Sequence, residues 1–173
     1  MKPARAALMG GMGYPVTETP WGMPSLKSRL EAIGVQVLLV SWDARQDVHN
    51  FLHDFTGVRI MAGDSLGAGS AGQYPGDLAV KTDYSAGFQP SEYDERTRKD
   101  PSNGQYFQDI SPKIVRAHCI FDPWWIDTGG LGYARWREQS PTKLLTTEHR
   151  GAHPDDWGYS QDLVYAEIQG LIA

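Results

Sequence analysis

The feature that most constrains this chain is an apolar run that ends in closely spaced glycines. Val58 to Met61 reads as a strand, and Gly63-Asp64-Ser65-Leu66-Gly67 follows it. Small residues from Ala68 to Gly72 lead away as a short helix to about Gln73. The spacing is G-x-S-x-G. A serine at a tight strand-to-helix turn takes a strained backbone, so the residues two positions to either side must be nearly free of side chain. The turn lifts the Ser65 hydroxyl above the strand end. It also aims the start of the next helix, Leu66 N–H first, at the same point, where a helix N-terminus stabilises developing negative charge.

The rest of the chain alternates in the way such a turn requires. Ala4 to Met9 reads as a first strand, followed by the turn Gly10-Gly11-Met12-Gly13, whose backbone N–H groups can face a ligand. Ser25 to Ile33 has helical spacing and stops at Gly34. Val35 to Val40 is a nearly unbroken apolar run, the pattern of a strand buried on both faces of a parallel sheet. A second helix is expected over Asp43 to Phe55, ending at Gly57. Beyond the Ser65 turn, strands are expected at Leu78 to Gly87, Ile114 to Phe121 and Lys143 to Thr147. A short helix is expected over Tyr133 to Glu138 and a closing one over Leu163 to Ile172. The segment at about 88–113 is polar and aperiodic, a long loop or lid. This alternation calls for a single α/β domain over 1–173, with a doubly wound, mostly parallel sheet of about six strands.

Charge and composition exclude several classes. At 173 residues and a formal charge of −5, the chain lacks the basic face that a nucleic-acid partner needs. No apolar stretch is long enough to span a membrane. Cys119 is the one cysteine, so no intramolecular disulfide can form, which suits a reducing, cytoplasmic setting. His49 and His53 stand one helical turn apart, but Asn50 occupies the place of the Glu in a zinc-protease motif, and no metal or other cofactor is expected. No feature of the chain fixes an oligomeric state.

In a doubly wound sheet the site gathers at the carboxyl ends of the strands. Gly11-Met12, Ser65, Asp122 or Asp127, and His149 or His153 all fall there. The order Ser, acid, His is that of one class of catalytic triad. On these residues the chain resembles a small α/β-hydrolase, a minimal three-layer sandwich without that family's two N-terminal antiparallel strands and cap domain. Leu8 to Gly13 resembles the strand and turn of the first oxyanion donor, Gly63 to Gly67 the nucleophile elbow, Asp122-Pro123 the turn after the acid-bearing strand, and Gly151-Ala152-His153 the turn bearing the base. The resemblance implies a serine esterase. Ser65 would be the nucleophile, His153 the general base (His149 the alternate) and Asp122 its orienting acid (Asp127 the alternate). The backbone N–H groups of Met12 and Leu66 would form the oxyanion hole. Trp124 and Trp125 would line a pocket for a small-molecule acyl substrate.

Other readings stay open. Gly63-Asp64-Ser65-Leu66 also spells the motif of the GDSL (SGNH) hydrolases, although a whole β-α-β-α block precedes Ser65 and Arg150 stands where that family has Asp before its histidine. Gly67 to Gly72 fits G-x-G-x-x-G but begins past the strand end, which weakens a dinucleotide reading. A non-catalytic protein that keeps the hydrolase scaffold for binding is the remaining alternative, since a fold does not guarantee chemistry.

Overall fold

A computed structural model describes residues 1–11, 22–88, 101–104, 112, 114–119, 144–149 and 158–173; over 114–119, 144–149 and 158–160 it describes the backbone alone. Among the described residues six strands form one sheet: β1 (Ala4–Gly10), β2 (Gln36–Ser41), β3 (Val58–Asp64), β4 (Tyr84–Phe88), β5 (Ile114–Cys119) and β6 (Leu144–His149). Their order is β2-β1-β3-β4-β5-β6, and every neighbouring pair is parallel. The chain steps outward from β1 to β2, then crosses to the other side of β1 for β3 and continues to β6. The winding direction reverses between β1 and β3, which makes their carboxyl ends the topological switch point.

The period-2 geometry of the strands sorts the core into two layers. On one face Ala4, Ala6 and Leu8 of β1 join Val58, Ile60 and Ala62 of β3 and Tyr84, Ala86 and Phe88 of β4. They pack under Met23, Leu26 and Leu30 of α1 (Met23–Ala32) and Val164, Ile168 and Ile172 of α4 (Gly158–Ile172). On the other face Ala7, Met9 and Met61 pack under Val48 and Leu52 of α2 (Arg45–Leu52) and Ala71 and Tyr74 of α3 (Leu66–Asp77). The result is the three-layer sandwich that the alternation implies.

Several elements differ from the sequence expectation. β2 is an edge strand, half-buried along most of its length rather than buried on both faces. Its apolar residues still pack, Val37 and Leu39 on one core and Val40 on the other. β4 begins at Tyr84 rather than Leu78. Leu78 and Val80 are buried, yet they plug the space beneath α2 and α3 as irregular chain. Phe88, expected as the first residue of the long loop, is the last residue of β4 and is buried; most of the remainder of that segment lies outside the described residues. α1 starts at Met23 and α2 ends at Leu52, and β6 reaches His149, which was expected in the loop beyond. The expected helix over Tyr133 to Glu138 lies outside the described residues.

α3 continues past Gln73 to Asp77 even though Pro75 lies inside it. A proline has no N–H to donate to the carbonyl four residues back. Here the Ser85 hydroxyl, from β4, donates to that carbonyl, Ala71 O, at 3.1 Å. The helix thus loses a backbone bond at Pro75 and the buried carbonyl is satisfied from the sheet.

Candidate active site

Ser65 is the joint between β3 and α3, and its backbone is φ 51°, ψ −118°. That is the corner conformation of a type II′ turn, which is normally held by glycine. For a residue with a Cβ it costs on the order of 1–3 kcal/mol and persists only where the surroundings over-determine it. They do so here. The Ser65 N–H donates to Phe88 O of β4 at 3.0 Å, and Ser65 O accepts from Ala68 N at 3.1 Å as α3 begins.

The flanking glycines have a measurable reason. A Cβ on Gly63 would lie 2.2 Å from Gly67 O, and one on Gly67 would lie 2.0 Å from Met9 O. Both contacts are with backbone, so neither neighbour can move aside cheaply. α3 therefore runs closer to β1 and β3 than any side chain at these two positions would allow. The G-x-S-x-G spacing is the trace of that approach.

Across the switch point, Gly11 follows β1 directly. A Cβ there would lie 2.9 Å from Ser65 Cβ and 3.4 Å from Ser65 Oγ. The end of β1 and the end of β3 thus meet at the serine hydroxyl. The Ala68 and Gly69 N–H groups donate to Ser65 O, and Leu66 and Gly67 supply the N–H groups that open α3 immediately after the serine.

α3 is clasped to the loop after β2, which keeps Ser65 in place. The Ser70 and Tyr74 hydroxyls both donate to Trp42 O, at 2.6 and 2.7 Å. At the far end Arg45 forms a two-pronged ion pair with Asp77, whose side chain is nearly buried; one prong is Arg45 Nη2 to Asp77 Oδ1 at 3.1 Å. The bond to Asp77 lifts the already high Arg45 pKa further. Burial pushes the Tyr74 phenol above its usual range. None of these clasp residues was legible as site support in the sequence. Their signal is a hydroxyl and a carboxylate on the helix that follows the turn.

Of the residues singled out by sequence, Ser65 and Leu66 sit at this joint with Gly11 beside them. His149 is the last residue of β6, opposite Cys119, and β4 and β5 lie between β6 and the strand that carries Ser65. Met12, Asp122, Asp127, His153, Trp124 and Trp125 lie outside the described residues. Asp64 is buried at the end of β3. Among the described residues no three His, Cys, Asp or Glu gather as a metal site, and no helix is long and apolar enough to cross a membrane. The rings of His49, on α2, and His53, its C-cap, lie 4.5 Å apart, tilted by 31°.

An all-parallel sheet wound outward from β1, with a serine in a glycine's conformation at the switch point, is the α/β-hydrolase fold. Solved structures share it along the whole chain. A protein of the alpha/beta hydrolase superfamily from Xanthomonas campestris pv. campestris matches with a TM-score of 0.61 at 19% identity, over 96% of this chain and 98% of its own. Acyl-protein thioesterase 2 of Zea mays matches with a TM-score of 0.63 at 13% identity, over 99% and 94%. The fluorophosphonate-binding serine hydrolase F of Staphylococcus aureus matches with a TM-score of 0.62 at 13% identity, over 100% and 85%. No family model matches the sequence, and no curated protein matches it. These structural neighbours give the GDSL resemblance no support. Ser65 follows the third strand of the chain, and the solved structures named above carry α/β-hydrolase, thioesterase and serine hydrolase names.

Proposed function

We propose that this chain is a serine hydrolase that cleaves an ester, thioester or related acyl bond of a small molecule through an acyl-enzyme. The observation that carries the reading is the Ser65 backbone. A residue with a Cβ is held at φ 51°, ψ −118° at the switch point, with the Gly11 backbone against its hydroxyl. Strain of that kind is retained where the position of the side chain matters more than stability.

In the proposed reaction the Ser65 hydroxyl attacks the acyl carbon while His153 takes its proton. The tetrahedral oxyanion accepts hydrogen bonds from the Leu66 and Met12 N–H groups. It collapses to an acyl-serine as His153 returns the proton to the leaving group, and water then repeats the sequence to release the acid. Asp122 orients the imidazole, with Asp127 as the alternate. Trp124 and Trp125 supply apolar surface for the acyl group. Sheet geometry favours His153 over His149 as the base. Three interstrand steps of about 4.8 Å put β6 roughly 14 Å from β3, more than a serine and a histidine side chain can span together. A residue on the connection from β6 to α4 is not bound by that limit, because α4 packs on β4 and α1 as well as on β6. The lone Cys119 fits a cytoplasmic setting.

The test is turnover of p-nitrophenyl acetate and a short-chain acyl thioester by wild type, Ser65→Ala, His153→Ala and His149→Ala. The reading requires Ser65→Ala and His153→Ala to lose at least about 10³-fold in kcat and His149→Ala to keep most of it. Hydrolysis that survives Ser65→Ala rejects it.

A further inference from the structure

The histidine pair at the end of α2 has no part in the proposed hydrolysis. His49 lies in the last turn of the helix, and His53 is its C-cap with a helical backbone (φ −54°, ψ −54°). The His53 N–H donates to His49 O at 2.8 Å, so the two side chains sit one above the other on one face. The His53 side chain is 52% exposed, and His49 is half-buried. Arg5, near the start of β1, donates to Phe51 O, which places this turn of α2 toward the amino ends of the strands. Ser65 follows the carboxyl end of β3. Each ring has its Nδ1 beside a side-chain oxygen. His53 Nδ1 lies 2.8 Å from Asp54 Oδ1, and His49 Nδ1 lies 3.5 Å from Asn50 Oδ1, which also accepts from Gln46 Nε2 at 2.8 Å.

We propose that His49 and His53 chelate one divalent transition-metal ion through their Nε2 atoms, with water in the remaining positions. A carboxylate only accepts, so Asp54 holds the His53 proton on Nδ1 and leaves the Nε2 lone pair for a metal, the arrangement that orients metal-binding histidines. The spacing of the rings fits. Two imidazoles bound through nitrogens at about 2.0–2.1 Å put their ring centres about 4.5 Å apart when the ligands meet at a right angle, and about 5.2 Å apart in a tetrahedral site. The observed separation is 4.5 Å. That favours a tetragonal ion such as Cu(II) or Ni(II), of which Cu(II) binds such nitrogens more tightly. Arg45, one turn back from His49, is paired with Asp77, so its charge is already compensated. Among the described residues no third His, Cys, Asp or Glu joins the pair. Asn50 removes the general base of a zinc protease but leaves both ring nitrogens in place. The ion would tie the last turn of α2 to its C-cap and so stabilise the folded chain. The proposal does not depend on the hydrolase reading.

The untagged chain is titrated with CuCl2 and with NiCl2 by calorimetry, and its thermal unfolding is followed with and without each ion. The proposal expects one ion per chain, Cu(II) tighter than Ni(II), and a Tm raised by at least about 3 °C at saturating ion. His49→Gln and His53→Gln each keep a helix-compatible side chain and remove one ligand. Each should weaken binding at least about 10-fold, because the second ligand no longer acts at high effective concentration. The double variant His53→Asp with Asp54→His keeps the composition and moves the second ring off the shared face. It should bind no better than the single variants, and its Tm should not respond to the ion. A wild type that binds no ion overturns the proposal. So does a loss smaller than about 10-fold in either single variant, or a double variant that binds like wild type, since the ion then sits on other groups such as His118, His149, His153 or Cys119.

Discussion

Adding one methyl group to Gly67 tests why the serine turn is where it is. The Cβ of Gly67→Ala would fall 2.0 Å from Met9 O, 2.6 Å from Met9 C and 3.0 Å from Gly10 O. These atoms belong to β1, which is hydrogen-bonded to a strand on each side and cannot yield. α3 would have to lift from the sheet by on the order of 1 Å to restore ordinary contact. Overpacking costs about 1–3 kcal/mol where side chains can adjust, and the obstacle here is backbone. Helix propensity returns about 1 kcal/mol for glycine to alanine. With the cost at or just above the top of that range, about 3–4 kcal/mol, the net loss should be about 2–3 kcal/mol, which lowers Tm by roughly 4–12 °C in a chain of this size. Gly170 is the internal control. It is exposed on α4, and a Cβ there meets nothing within 4 Å. Gly170→Ala should gain about 0.5–1 kcal/mol. Thermal and urea unfolding followed by circular dichroism measure both. A Gly67→Ala protein that melts at or above wild type, or two glycines that respond with the same sign, would refute the packing argument.

Three further outcomes follow from the same geometry. Ser65→Gly should be about 1 kcal/mol more stable than Ser65→Ala, because only glycine relieves the positive φ, and urea unfolding of the pair reads the strain directly. Ala79, at φ 51° just past α3, should behave likewise: Ala79→Gly should stabilise by about 1 kcal/mol by the same assay, with no effect on ester turnover. Burial raises the Tyr74 pKa in the folded state. Its contribution to stability is therefore complete below the unfolded value of about 10 and is lost as pH rises through the folded value. Tyr74→Phe should cost about 1 kcal/mol at neutral pH through the lost bond to Trp42 O, and should flatten the alkaline fall in urea midpoint.

Much of the architecture was legible because it is encoded locally. The period-3.6 stripe of Leu26 and Leu30 and the apolar run at Val58 to Met61 need no knowledge of the rest of the chain. The serine turn was legible because a close approach of α3 to β1 and β3 leaves glycines at Gly63 and Gly67 as its trace. What escaped is set by distant partners. The apolar run at Val35 to Val40 reads the same in a central strand as in an edge strand, and only the sheet order makes β2 an edge. Leu78 and Val80 look like strand residues because a buried irregular plug has no periodicity of its own. The helix after Ser65 runs beyond the expected end near Gln73, past Pro75, and a hydroxyl from β4 takes the place of the missing donor. Gln161, buried between the starts of α1 and α4, carried no signal at all. An amide on a helix is unremarkable until its bond to Gly22 is seen.

The most direct measurement is covalent. Wild type and Ser65→Ala are incubated with a fluorophosphonate probe, and the adduct is mapped by peptide mass spectrometry. A serine activated at the strand end should give one adduct per chain, on the peptide that contains Ser65, and none in the variant. An unlabelled wild type beside a labelled control esterase, or an adduct that persists in Ser65→Ala, would contradict the account.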